Sequence, residues 1–86
     1  MGLAMKKVAT TIRCVPRYGF AGTDVRTVDL DLPPDVEEHE IRDALCFWFA
    51  AQGIADAVYD MDVDDDGYFA IINDDVFRRN WGTPLL

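Results

Sequence analysis

Val28, Leu30 and Leu32 alternate with Thr27, Asp29 and Asp31. In a helix these three apolar residues would scatter around the axis, but in a strand they share one face. The stretch predicts a strand over 25–32 with one dry side and one wet side, the signature of an antiparallel sheet covered on a single face. The same period of two recurs three times. Val8, Ile12 and Cys14 point inward from a strand over 7–16, against Ala9, Thr11, Arg13 and Val15. Ala57, Tyr59, Met61 and Val63 alternate with Asp56, Val58, Asp60 and Asp62. Tyr68 to Asn73 forms the fourth segment.

Between the last two runs lies Asp64-Asp65-Asp66-Gly67, and Asp-Gly between alternating segments is a strong hairpin signal. A loop of two or four residues sets Tyr59, Met61 and Val63 on one face with Ala70 and Ile72. It sets Asp60 and Asp62 beside Phe69 and Ile71 on the other.

One segment breaks the period. Pro33-Pro34 ends the second strand, and Asp35 to Glu40 supplies carboxylates that favour the positive end of a helix dipole. The helix is expected over 36–52, capped by Gly53. Ile41, Ala44, Leu45, Trp48, Phe49 and Ala51 form its inward stripe at 100° per residue, with Phe47 at the margin of the core. Asp74-Asp75 opens a last helical turn reaching Trp81, stopped by Gly82. The expected fold is α+β: ββαββ, one helix packed on a mostly antiparallel four-stranded sheet, with a short C-terminal helical turn. The 86 residues, half of them hydrophobic, are expected to make one domain over 1–86, with residues 1–5 either disordered or extraneous and Met5 a candidate native start.

Charge is distributed unevenly. Residues 1–28 hold five basic side chains against Asp24, residues 29–77 hold fifteen carboxylates against Arg42, and Arg78 and Arg79 follow; the net charge is −8. Such a surface repels a phosphate backbone and attracts a basic one. No run approaches the ~18 apolar residues of a membrane span. Two cysteines, Cys14 and Cys46, fall short of a disulfide framework and read as reduced thiols of a cytoplasmic protein.

The residues offer little for catalysis. The chain contains no Ser, and His39 and Cys46 sit seven residues apart on one helix, ~10 Å along its axis. No catalytic residue and no cofactor is assigned. Asp62, Asp64 and Asp66 with Gly67 match the first half of a calcium loop. The twelfth position, however, is Asn73 rather than Glu, and the flanks are strands, so the run reads as an acidic turn and those three as the only metal candidates. Gly19-Phe20-Ala21-Gly22 has a nucleotide-clamping form but joins strands, and with Arg13, Arg17, Tyr18 and Arg26 it reads as a solvated loop.

Three function classes remain. The first is a non-enzymatic binding or inhibitory module whose acidic surface engages a basic protein; small acidic proteins that mimic nucleic acid have a similar composition. The second is a homo-oligomeric domain, a dimer, with Phe69, Ile71, Phe47 or Trp81 at the contact. The third, a ligand-binding domain or enzyme, would need a deep apolar pocket with a buried carboxylate. The expected partner-binding residues are Asp60, Asp62, Asp64, Phe69 and Ile71, with no nucleic acid and no membrane as partner.

Overall fold

The computed structural model describes residues 8–19 and 25–84. The elements follow the expected order: β1 (Val8–Pro16), β2 (Arg26–Leu32), α1 (Glu38–Ala51), β3 (Val58–Asp64), β4 (Gly67–Ile72), α2 (Asp74–Phe77) and a two-residue β5 (Thr83–Pro84). The sheet order is β3-β4-β1-β2-β5. β1 and β4 pair in parallel at its centre, and the other three pairings are antiparallel. The fold is therefore α+β in ββαββ order, with β5 a short addition to the expected four strands. No helix among the described residues is long and apolar enough to cross a membrane.

One face of the sheet is sealed by α1. Ile12 and Cys14 of β1, Val28, Leu30 and Leu32 of β2, Met61 of β3, and Ala70 and Ile72 of β4 are all buried beneath Ile41, Leu45 and Phe49 of the helix. Removing this much apolar surface from water is the main favourable term in folding. The helix ends as its sequence predicts. Gly53 donates to the Ala50 carbonyl and Ile54 to that of Phe49, with Gly53 in the left-handed region, and the buried Ile54 closes the motif against the core.

The C-terminal segment packs on this same side. Val76, Phe77 and Trp81 are buried, and the Trp81 ring meets Phe49 at 4.8 Å, Phe77 at 5.3 Å and Trp48 at 6.5 Å, all edge-on. Its indole N–H donates to the Val76 carbonyl at 2.8 Å, so the one polar atom of the ring is satisfied. Arg26 secures the segment to β2. It donates to the carbonyls of Arg79 at 2.7 Å and Trp81 at 3.0 Å, and it lies over the rings of Phe77 and Trp81. Gly82 then turns the chain at φ 65°, where a Cβ would stand 2.9 Å from the Thr27 carbonyl oxygen; only glycine lets β5 reach β2.

Several expectations are corrected. Helical structure stops at Phe77 rather than running through Trp81. Trp81, 5% exposed, is core and unavailable for an intermolecular contact. Phe47 is not at the core margin: it is 78% exposed, and Ala51 is exposed as well. The buried side of α1 is centred on Ile41, Leu45 and Phe49, and at 100° per residue Phe47 falls about 160° from it, on the solvent side. Tyr59 does not point inward. A bulge between Val58 and Asp60 leaves Val58 opposite Ile72 and Asp60 opposite Ile71, so Val58 packs on the core and Tyr59 turns out to solvent. Val63 does lie on the side of Met61 but is 57% exposed. The hairpin loop is the two-residue Asp65-Asp66. Of its residues and Gly67 only the glycine has positive φ, 107°, so the turn is closed by Gly67 rather than by a mirror-image pair. Residues 1–5, Phe20 and Gly22 lie outside the described residues.

Candidate functional site

The face of the sheet opposite α1 has no covering element among the described residues. The register builds it row by row. Asp60 of β3 stands opposite Ile71 of β4, which stands opposite Val15 of β1. In the next row Asp62 faces Phe69, Phe69 faces Arg13, and Arg13 faces Thr27 of β2. Beyond these, Thr11 faces Asp29 and Ala9 faces Asp31. The result is a patch of half-buried apolar side chains, Phe69, Ile71 and Val15, with acids along its β3 side and further acids beyond it on β2. Asp60 and Asp62 border the patch on β3 with Asp64 one row further on, and on β2 Asp29 and Asp31 lie beyond Thr27. At ~4.8 Å per strand the two acid-bearing strands, β3 and β2, are about 14 Å apart.

The expected site residues are therefore brought onto one face, but they are not equivalent. Asp64 is structural. Its carboxylate accepts from Arg13 at 2.6 Å and from the Asp66 amide at 2.9 Å. The Arg13 hydrogen bond first, and the Asp66 amide second, hold its pKa below the ordinary 3.8. Asp60 and Asp62 do other work on the same strand. Each carboxylate accepts the amide of the next residue, Met61 and Val63 respectively, at 2.8 Å. β3 is an outer strand, so these are donors that would otherwise face water or another chain.

Arg13 is the residue that sequence reasoning assigned elsewhere. It does not belong to a free basic hairpin. Its guanidinium lies 5.3 Å from the Phe69 ring centroid and bridges to Asp64, shielding part of the apolar strip while neutralising one acid. The alternation along β1 already put Arg13 on the wet face, but only the parallel pairing of β1 with β4 sets it beside Phe69. Arg17 is also engaged: it stacks on Tyr59 at 3.7 Å and on Tyr18 at 4.7 Å. Arg26 is committed to the C-terminal segment, as described. Phe69 and Ile71 are only half-buried on this face. The tail lies on the other side of the sheet, and of the two Phe69 receives Arg13.

The remaining polar clusters are dispersed. Asp62, Asp64 and Asp66 do not converge as ligands. Among the described residues, one trio of ligand atoms comes within 4.8 Å: Glu37, His39 and Glu40, all exposed, at the start of α1, where the helix dipole disfavours a cation. Asn73, in the twelfth position of the would-be calcium loop, donates instead to the Asp56 carbonyl at 2.9 Å. Cys14 is fully buried, and burial pushes its thiol up to about 12, whereas Cys46 is exposed; both are free. An open cleft of about 290 Å3 lies between the start of α1 and the β3–β4 turn, lined by Ile12, Pro33, Val36, Ile41, Tyr68 and Asp66 among others. No charged side chain is buried there or elsewhere among the described residues.

No family model matches this chain, and neither a curated protein nor a solved structure matches it.

Proposed function

We propose that this chain is a non-enzymatic, protein-binding or inhibitory module of the cytoplasm whose open sheet face engages a partner with a basic surface. One observation carries the reading: on the open face Phe69, Ile71 and Val15 form an apolar patch edged by Asp60 and Asp62, with Asp29 and Asp31 further along the same face. An apolar centre with a charged rim is the usual anatomy of an interaction surface. The charges select the sign of the partner. A dimer made through this face would set acidic rims close to acidic rims, whereas a basic protein, among them proteins that themselves bind nucleic acid, would neutralise both. The chemistry-bearing side chains add support. Cys14 is sealed in the core, and Cys46 lies two helical turns from His39.

Matched affinity resins carrying the protein and its Asp60→Asn/Asp62→Asn variant test this reading. The parent resin is expected to retain basic proteins at low salt and release them as salt rises, with ~10-fold weaker retention by the variant. Equal retention by both, or capture of duplex DNA at physiological salt, would contradict it.

A further inference from the structure

The two outer strands of the sheet are finished differently. On β3 the carboxylates of Asp60 and Asp62 occupy the amides of Met61 and Val63, so this side already has partners for its donors. On β2 the outer neighbour is β5, which pairs only with Arg26 and Thr27. From Val28 to Leu32 the strand has β1 on its inner side and, among the described residues, no strand on the other. An extended run with unpaired backbone groups is a template for another strand.

The surroundings of this run specify what fits. Asp29 and Asp31 are exposed on the open face, two residues apart, and so about 6.8 Å apart at ~3.4 Å per residue. An added strand presents its own alternate side chains at that spacing. On the helix side lie Leu30 and Leu32. Arg42 reaches Asp60 from the opposite flank of α1, and Trp48 touches Trp81 beside Arg26, so the Trp48 flank of the helix is the one turned toward β2. At 100° per residue Ala44 follows Trp48 around that flank, and both are half-buried against the core.

We propose that the outer edge of β2, Val28–Leu32, accepts an extended segment of a partner as an added strand, one that alternates Lys or Arg with apolar residues. Its basic side chains face Asp29 and Asp31, and its apolar ones lie beside Leu30 and the Trp48–Ala44 flank of α1. A second copy of this chain is a poor occupant. Antiparallel pairing of β2 with itself about Leu30 sets Asp29 against Asp31 of the other copy, and like charges directly opposite destabilise a sheet. The inference rests on the acidic reading above and adds the edge, the backbone ladder and the pattern of the partner.

The test is amide hydrogen exchange by NMR on the full chain, with a nine-residue peptide alternating lysine and valine. A glutamate–valine peptide serves as the control. The lysine peptide is expected to slow exchange at outward amides within Val28–Leu32 by at least ~10-fold. The control peptide should leave them unchanged, and Asp31→Lys should weaken the lysine peptide ~10-fold. Binding that slows exchange elsewhere but not in Val28–Leu32 overturns the edge while leaving the basic-partner reading intact. Failure of the lysine peptide to bind at low salt, together with equal retention by the resins above, overturns both. Protection of the same amides without peptide also overturns it: if it rises with protein concentration the occupant is a second copy, and if it does not the occupant is the chain itself.

Discussion

The two faces of this sheet are built from the same strands by the same alternation, yet they obey different rules. Under α1, every buried residue is apolar, and its environment is decided by packing. On the open face, alternate positions carry Asp29, Asp31, Asp60, Asp62 and Asp64, and what little apolar surface exists is partly shielded by Arg13. The covered face accounts for the fold. The open face is over-supplied with charge for that purpose, since a modest net charge is enough for solubility. Within it, however, one acid is structural and two are spare in charge though not in hydrogen bonding. The contrast separates residues that hold the domain together from residues available to a partner.

The largest break in the contrast comes from the covered face. Phe49→Ala should cost about 3–5 kcal/mol and leave so small a domain unfolded or nearly so, whereas Phe47→Ala, two positions away but exposed, should leave the urea midpoint almost unmoved. Equal effects would mean that the helix is rotated. Next comes the clamp on the C-terminal segment. Arg26→Ala removes two charge-assisted hydrogen bonds and two ring contacts, and should cost about 1.5–3 kcal/mol, with Trp81 fluorescence shifting to the red as the segment loosens.

A smaller effect sharpens the distinction among the acids. Asp64 titrates below 3.8 in the folded chain because of Arg13. Its pairing therefore contributes stability that is present above the unfolded pKa and is lost as pH falls through the folded one. Arg13→Met should return the Asp64 titration, followed by NMR, toward 3.8, and the stability gap between parent and variant should narrow between pH 4 and pH 2. Asp60→Asn/Asp62→Asn should do neither. Asparagine keeps the side-chain oxygen that accepts the Met61 and Val63 amides, so thermal stability is expected within about 0.5 kcal/mol of the parent while affinity for a basic partner falls. The smallest expected perturbation is chemical. A maleimide should label the native protein once, at Cys46, because the Cys14 thiol is buried and its pKa raised to about 12; two labels under native conditions would mean a leaky core.

The legibility of these features in the sequence follows from their range. β2 obeys period two without interruption, so Val28, Leu30 and Leu32 could be placed on the dry face from residue types alone. The Gly53 cap is equally local. The bulge at Tyr59 is not, because Ala57, Tyr59 and Met61 look like one unbroken alternation. Only the competition between burying Val58 and keeping Tyr59 beside Arg17 reveals the extra residue. The open face was legible as composition, with Asp60 and Asp62 beside Phe69 and Ile71. Its organisation was not. Alternation does not give strand order, and only strand order makes β3 an outer strand whose aspartates cap their own amides, or brings Arg13 over Phe69. Phe47 illustrates the same limit: a helix wheel gives angles between residues, and only the packing shows that Ile41, Leu45 and Phe49 centre the buried side, which leaves Phe47 on the opposite one.

The central claim is that the open face is the working surface. Backbone and methyl chemical-shift mapping with a short oligolysine at low salt tests it most directly. Shifts are predicted along Asp29, Asp31, Asp60, Asp62, Phe69 and Ile71, and these should be lost in Asp60→Asn/Asp62→Asn and suppressed at high salt. Shifts centred on Glu37, Glu38 and Glu40 at the start of α1, with the open face silent, would contradict the account.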